Sequence, residues 1–187
     1  IAPAKLYSID SSSCIRIQEI CSNLPKLLLT GKLHSTIDRL SGEDLSIKSL
    51  LINQKDQDLQ LAMSHLSFIA HAYIWGDKKP HSKLPSVLAK PWVEVAKQLG
   101  RPPILSYASY CLDNWFLIDE DEEISLENVG LINNFLGGVD EDWFVTVHVC
   151  IENAASSAIE ACKKISQCDE SSSEKEILTL LNQIVKS

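Results

Sequence analysis

An aromatic ring and an imidazole one helical turn apart are the pair in this 187-residue chain best placed to do chemistry. Phe144 and His148 stand at i and i+4 in the stretch Asp142-Trp-Phe-Val-Thr-Val-His148-Val-Cys-Ile-Glu-Asn-Ala-Ala-Ser-Ser-Ala-Ile159. At helical spacing the two side chains share one face. A neutral imidazole carries one donor and one acceptor nitrogen, so it can hold one hydrogen bond inside the protein and offer another to a ligand. Burying it charged and unpaired is costly, so His148 must find a polar partner or stay neutral. Periodicity alone is compatible with a core histidine bonded to a carbonyl and with a group presented to a ligand.

The element that must position this pair is a helix from about Asp140 to Cys168, with Asp140 as its N-cap and Glu141 and Asp142 in the first turn, where the helix dipole favours negative charge. Its apolar residues run almost all the way round, from Phe144 and Val145 to Ile159 and Cys162, which predicts burial in a larger body. The chain before it reads as helices over Cys14–Leu29 (kinked or split at Pro25), Leu33–Leu40, Asp44–Ile52, Asp56–Trp75, Trp92–Leu99 and Ile104–Phe116. Residues 119–128 are acidic and read as a solvated loop rather than a metal site. Val129–Leu136 reads as a short strand or an irregular crossing. Ser171-Ser-Ser-Glu174 resembles a capping box for a last helix over about Ser173–Val185. The fold class is all-α, with a small helical domain over 1–137 and the start of a larger helical domain over 138–187, divided at Gly137-Gly138. Two helices after that break cannot bury the apolar surface of the first of them, so a further segment or a partner is expected to cover it.

Composition narrows the function. The formal charge of −8 argues against nonspecific binding to nucleic acid or to an anionic membrane. No apolar run reaches the roughly 18–20 residues of a membrane span, and no signal peptide is evident, so the expected compartment is the cytoplasm. The six cysteines show no CxxC spacing and read as reduced core residues. His34 and His81 are expected in solvent, and His65 and His71 as packing or surface residues rather than ligands.

Four blocks in a fixed order carry a more specific signal. They are Ala72-Tyr-Ile-Trp-Gly76, Leu84-Pro85, Leu99-Gly-Arg-Pro-Pro-Ile-Leu-Ser-Tyr-Ala-Ser-Tyr-Cys-Leu-Asp-Asn-Trp115 and Ile151-Glu-Asn-Ala-Ala-Ser-Ser-Ala-Ile159. Together they resemble the indoleamine 2,3-dioxygenase family, over its N-terminal half. The resemblance implies a small helical domain followed by the first helices of a larger domain that holds haem b. It implies insertion of O2 across the C2–C3 bond of L-tryptophan or another indole, to give N-formylkynurenine. Phe144 falls where the family sets an aromatic ring against the indole, with Val145 beside it. Tyr107 matches a pocket tyrosine, and Tyr110 and Cys111 fall at the deep end of the pocket. His148 departs from the serine of the indoleamine enzymes and is similar to the distal histidine of tryptophan 2,3-dioxygenases, which accepts a bond from the indole N–H. The family's proximal haem ligand, its substrate-carboxylate arginine and its glycine-rich loop fall beyond residue 187, so no metal ligand is assigned here and the C-terminal half of the same protein is the expected partner. Two other readings stand beside this one: a haem protein of the same superfamily that binds or senses oxygen without turnover, and a haem-free helical interaction fragment.

Overall fold

A computed structural model describes residues 15–53, 56–169 and 172–187. Cys14, where the first helix is expected to begin, and Ser171 fall outside them. Eight α-helices and one small hairpin make up the described chain: α1 Ile15–Ser22, α2 Leu24–Leu29, α3 Leu33–Ile37, α4 Lys48–Asn53, α5 Asp56–Trp75, α6 Ser86–Gln98, β1 Trp115–Leu117, β2 Val129–Leu131, α7 Val139–Ile165 and α8 Glu174–Lys186. The class is all-α, as the periodicity predicts.

Helix α5 is the axis of the larger core. Leu59, Ala62, Met63, Leu66, Phe68, Ile69 and Ala70 are buried on every side of it, the signature of a helix surrounded by others. Helices α1, α2, α3, α4 and α6 all pack on it. The first helical stretch splits at Asn23, because Pro25 sits in the first turn of α2, where its missing N–H costs nothing. Helix α6 starts at Ser86, six residues before the expected Trp92. Pro85 stands at its N-cap and Pro91 is accepted inside it, buried against the core.

The largest departure from expectation lies between Ile104 and Phe116. No α-helix forms there. Instead Ala108–Leu112 is a π-helical turn, closed by the Asp113 N–H on the Ala108 carbonyl at 2.7 Å, and Trp115–Leu117 is a strand. The cause is a long-range competitor for the backbone. Asn114 Nδ2 donates to the Asn133 carbonyl at 3.0 Å, and the Asn133 N–H donates to Asn114 Oδ1 at 2.8 Å. This pair draws the chain out of helix and into an antiparallel register, Trp115 opposite Leu131 and Leu117 opposite Val129. Gly130 lets the strands close. A Cβ there would lie 2.6 Å from the Phe116 ring.

A second, smaller core forms behind this hairpin from Cys111, Trp115, Val129, Val145 and Val149. It takes residues from both sides of the Gly137-Gly138 break. Helix α7 begins one residue earlier than expected and its N-cap is Gly138 rather than Asp140; Asp140, Glu141 and Asp142 do fill the first turn. In α8 the capping pair sits two residues later than expected: the Ser173 side chain accepts from the Glu176 N–H. No described helix is long and apolar enough to cross a membrane. Of the cysteines, Cys21 and Cys111 are buried as expected, Cys150 and Cys168 are half-buried, and Cys162 is exposed.

Candidate distal pocket on helix α7

Helix α7 is anchored at its first turn. The Glu141 carboxylate accepts the backbone N–H groups of Phe135 and Leu136, each at 2.7 Å, and of Gly137 at 3.1 Å. Gly137 takes φ +69°, a conformation that side-chain-bearing residues rarely adopt. Asn134 Nδ2 donates to Asp142 at 2.7 Å. These bonds fix the direction in which α7 leaves the turn, and so which way each face looks.

Two faces result. Val145 and Val149, at zero exposure, point into the hairpin core with Cys111 and Trp115. Phe144, His148 and Ile151 lie on another face, with Phe144 50 % and Ile151 55 % exposed. The prediction that α7 is buried on all sides therefore holds for one side only. The Phe144 and His148 rings meet at 4.4 Å between centroids. His148 Nδ1 lies 2.6 Å from the Phe144 carbonyl. A carbonyl can only accept, so this bond assigns the hydrogen to Nδ1, and in the neutral ring the lone pair is on Nε2.

The π-helical turn supplies the facing wall. Tyr107 meets His148 edge-on at 5.8 Å, and its hydroxyl donates to Glu152 Oε1 at 3.0 Å. Partial burial, then the bond to Glu152 and the charge of that carboxylate, push the phenol up to about 12. Tyr110 lies 6.0 Å from Phe144 and stacks on Phe68 at 5.5 Å, linking the open face to the α5 core. Burial first, then the charges of Glu141 and Cys111, raise the Tyr110 phenol. Burial and the charge of Glu152 push the Cys111 thiol up to about 11.

Of the six residues singled out from the sequence, four therefore gather on one side: Phe144, His148, Tyr107 and Tyr110. Val145 and Cys111 stand behind them, inside the core. Sequence reasoning missed Glu152, although its i+4 spacing from His148 was a usable cue. It also missed the buried network that holds the π-helical turn. His65 Nδ1 donates to Asn133 Oδ1 at 2.6 Å, Asn133 Nδ2 donates to Ser64 Oγ at 3.2 Å, and Ser64 Oγ donates to the Ser109 carbonyl at 2.9 Å. Burial depresses His65 to about 4, against a smaller opposing effect of the Asn133 bond, so the ring is neutral. A concavity of about 870 Å³ opens elsewhere, between α2 and α5, lined by Leu28, Leu29, His71, Trp75 and Phe135.

His81 is exposed as expected, whereas His34 is half-buried. They stack on each other at 4.1 Å beside Asp77. With His65 bonded to Asn133 and His71 lining the separate cleft, none of these four histidines belongs to the Phe144–His148 face.

A sequence model of the family described as indoleamine 2,3-dioxygenase matches residues 6–187. The chain is similar to indoleamine 2,3-dioxygenase of Saccharomyces cerevisiae, 38 % identical over 82 % of the chain and 35 % of that protein. It is similar to indoleamine 2,3-dioxygenase 1 of Rattus norvegicus, 35 % identical over 90 % of the chain and 40 % of that protein. Indoleamine 2,3-dioxygenase 2 of Homo sapiens is 32 % identical over 76 % of the chain and 34 % of its own length. The chain thus spans 34–40 % of these relatives' length.

Proposed function

The chain belongs to the indoleamine 2,3-dioxygenase family, and from that premise we propose that it forms the small domain and the distal wall of a haem pocket in which tryptophan is oxidised to N-formylkynurenine. The observation that carries the reading is the bond from His148 Nδ1 to the Phe144 carbonyl. It leaves Nε2 as an acceptor on the open face, beside an exposed aromatic ring. An indole is an aromatic plate with one N–H donor. Phe144 packs against the plate and Nε2 accepts the N–H. A site that pairs this hydrogen discriminates against an N-methylated indole, because the acceptor is then left without its partner.

The rest of the wall follows from the geometry. Tyr107, held by Glu152, flanks His148 and limits how far the ring can swing. Tyr110 closes the deep end behind Phe144. Val145 and Cys111 back this wall from the core and set the position of Phe144 rather than touching the substrate.

Fit to haem b rests on the same face. It is apolar, and beyond Ile151 it narrows to Ala154, Ala155 and Ala158, which let a flat group approach α7 closely. Haem b, when bound, supplies the ferrous iron that activates O2. The residue that would ligate its iron and the groups that would hold the substrate carboxylate belong, in this reading, to the portion of the protein outside these residues. That portion also covers the apolar side chains left open on α7 and α8, among them Ile159, Leu178 and Val185. The division at Gly137-Gly138 is kept as the start of the large domain, with α7 shared between the two bodies.

The test is an absorption spectrum of the whole protein, ferric and ferrous, with and without L-tryptophan. A Soret band that shifts with tryptophan is expected. His148→Ala should weaken tryptophan at least about tenfold, the equivalent of about 1.4 kcal/mol, while 1-methyltryptophan should bind the variant at least as tightly as the wild type, since the unpaired acceptor is gone. Absence of bound haem, or a variant that binds tryptophan as the wild type does, overturns the reading.

A further inference from the structure

Far from helix α7, three ligand-type side chains converge where α5 ends. His34 comes from α3. Asp77 and His81 come from the loop that follows Trp75. The ligand atoms of the three all lie within 4.8 Å of one another. His34 Nδ1 is 3.4 Å from Asp77 Oδ2, and His81 Nε2 is 3.2 Å from the same oxygen. Ligands at about 2.0–2.2 Å from a tetrahedral zinc ion lie roughly 3.3 Å apart, so two edges of the coordination polyhedron already have the right length. The third edge, His34 Nδ1 to His81 Nε2, is no longer than 4.8 Å, and binding one ion on both nitrogens turns His81, the more exposed ring, out of its stack on His34.

Three further observations point to a cation. His34 Nε2 donates to the Tyr73 carbonyl at 2.8 Å. In the neutral ring this leaves a lone pair on Nδ1, facing a carboxylate oxygen that is also an acceptor. Two acceptors at 3.4 Å are favoured by a positive centre between them, which a bound cation supplies. A backbone carbonyl holding the second nitrogen is also the usual outer-shell arrangement of a metal-bound histidine, because it fixes tautomer and ring direction. The His81 N–H donates to the Ile74 carbonyl at 2.9 Å, which folds the loop back over the end of α5. The cluster therefore stands at a helix C-terminus, where the dipole favours positive charge.

We propose that His34 Nδ1, Asp77 Oδ2 and His81 Nε2 bind one divalent transition-metal ion of the zinc, copper and nickel class. Two imidazoles and one carboxylate suit these ions, whereas magnesium and calcium prefer oxygen ligands. Lys78 and Lys79 lie on the same loop and oppose a cation by charge alone, so affinity comes from coordination. With three protein ligands the fourth position is open to water. The bound ion ties α3 to the α5–α6 connection, next to the bond from the Tyr73 hydroxyl to Asp38 at 3.0 Å that already joins α3 to α5.

The experiment is calorimetric titration of the untagged, metal-free protein with zinc chloride, with cobalt(II) absorption as a second readout. The expected result is one equivalent of zinc per chain. Asp77→Asn and His81→Ala should each weaken it at least about tenfold. The competing ligand is the exposed thiol of Cys162, and Cys162→Ser should leave affinity unchanged. No saturable binding, retention of wild-type affinity in both cluster variants, or loss of binding in Cys162→Ser overturns the proposal. In the first two cases an imidazolium on Asp77 is the sufficient account of the geometry.

Discussion

Tyr107 and Glu152 join the π-helical turn to helix α7 through one hydrogen bond of 3.0 Å, across the open face from Phe144. The bond fixes the wall against which the His148 ring rests edge-on. Burial is the largest cause of the raised Tyr107 phenol and the Glu152 bond and charge add to it, so Glu152→Gln should move its titration down from about 12 part of the way toward the ordinary tyrosine value near 10. A pH titration of tyrosinate absorbance, variant against wild type, measures it. An unchanged titration would mean that burial alone holds the phenol protonated.

Phe144 and Val149 lie on one helix and answer to different demands. Val149 is fully buried, so Val149→Ala should cost roughly 2 kcal/mol of stability through lost contacts and the cavity left behind. Phe144 is half-exposed, so Phe144→Ala should cost well under 1 kcal/mol and, on the proposed function, act on tryptophan binding instead. Urea denaturation of the two variants gives the first comparison, and a tryptophan titration of the haem-loaded protein gives the second.

His65 makes stability depend on pH. Its folded value of about 4 lies below the ordinary 6.5. The unfolded chain therefore takes up a proton that the folded chain refuses between these two values. The stability it contributes is complete above pH 6.5 and falls as pH drops toward 4, by about 3 kcal/mol in all. His65→Gln keeps a polar side chain and removes the titration. Its unfolding free energy should vary less between pH 7 and pH 4.5 than that of the wild type, measured by urea midpoints at both values.

Glu141 is the cap of the turn that aims α7. Glu141→Ala leaves the N–H groups of Phe135, Leu136 and Gly137 without their acceptor, at a cost of about 1–3 kcal/mol. Hydrogen exchange should speed up at those amides before it changes in the middle of α5. Equal protection in variant and wild type would show that the turn holds itself.

Elements held by local pattern were readable in the chain. Helix α5 shows its apolar periphery and its stop at Gly76, and α7 shows its acidic first turn. Elements decided by distant partners were not. Asn114 and Asn133 are ordinary polar residues in sequence, and only their mutual pairing turns the expected helix into a π-helical turn and a strand. His34 stands more than forty positions from Asp77, so no spacing rule joins them. The i,i+4 relation of Phe144 and His148 was visible, while the burial of Val145 and Cys111 behind them depended on a hairpin of which only the second strand, within Val129–Leu136, was offered by the sequence.

The aromatic row has a consequence for how this protein can evolve. Phe68, Phe135, Tyr110, Phe144 and His148 are in ring contact in succession, from the middle of α5 to the surface of α7. A change of ring size at the buried Phe68 displaces the rings packed on it, since packed interiors absorb volume poorly, whereas the half-exposed Phe144 has room to yield. On the proposed function, drift at Phe68 or Phe135 is therefore not neutral for the pocket: it reaches Tyr110 and Phe144 through ring contacts, so substrate preference depends partly on residues that never meet a substrate.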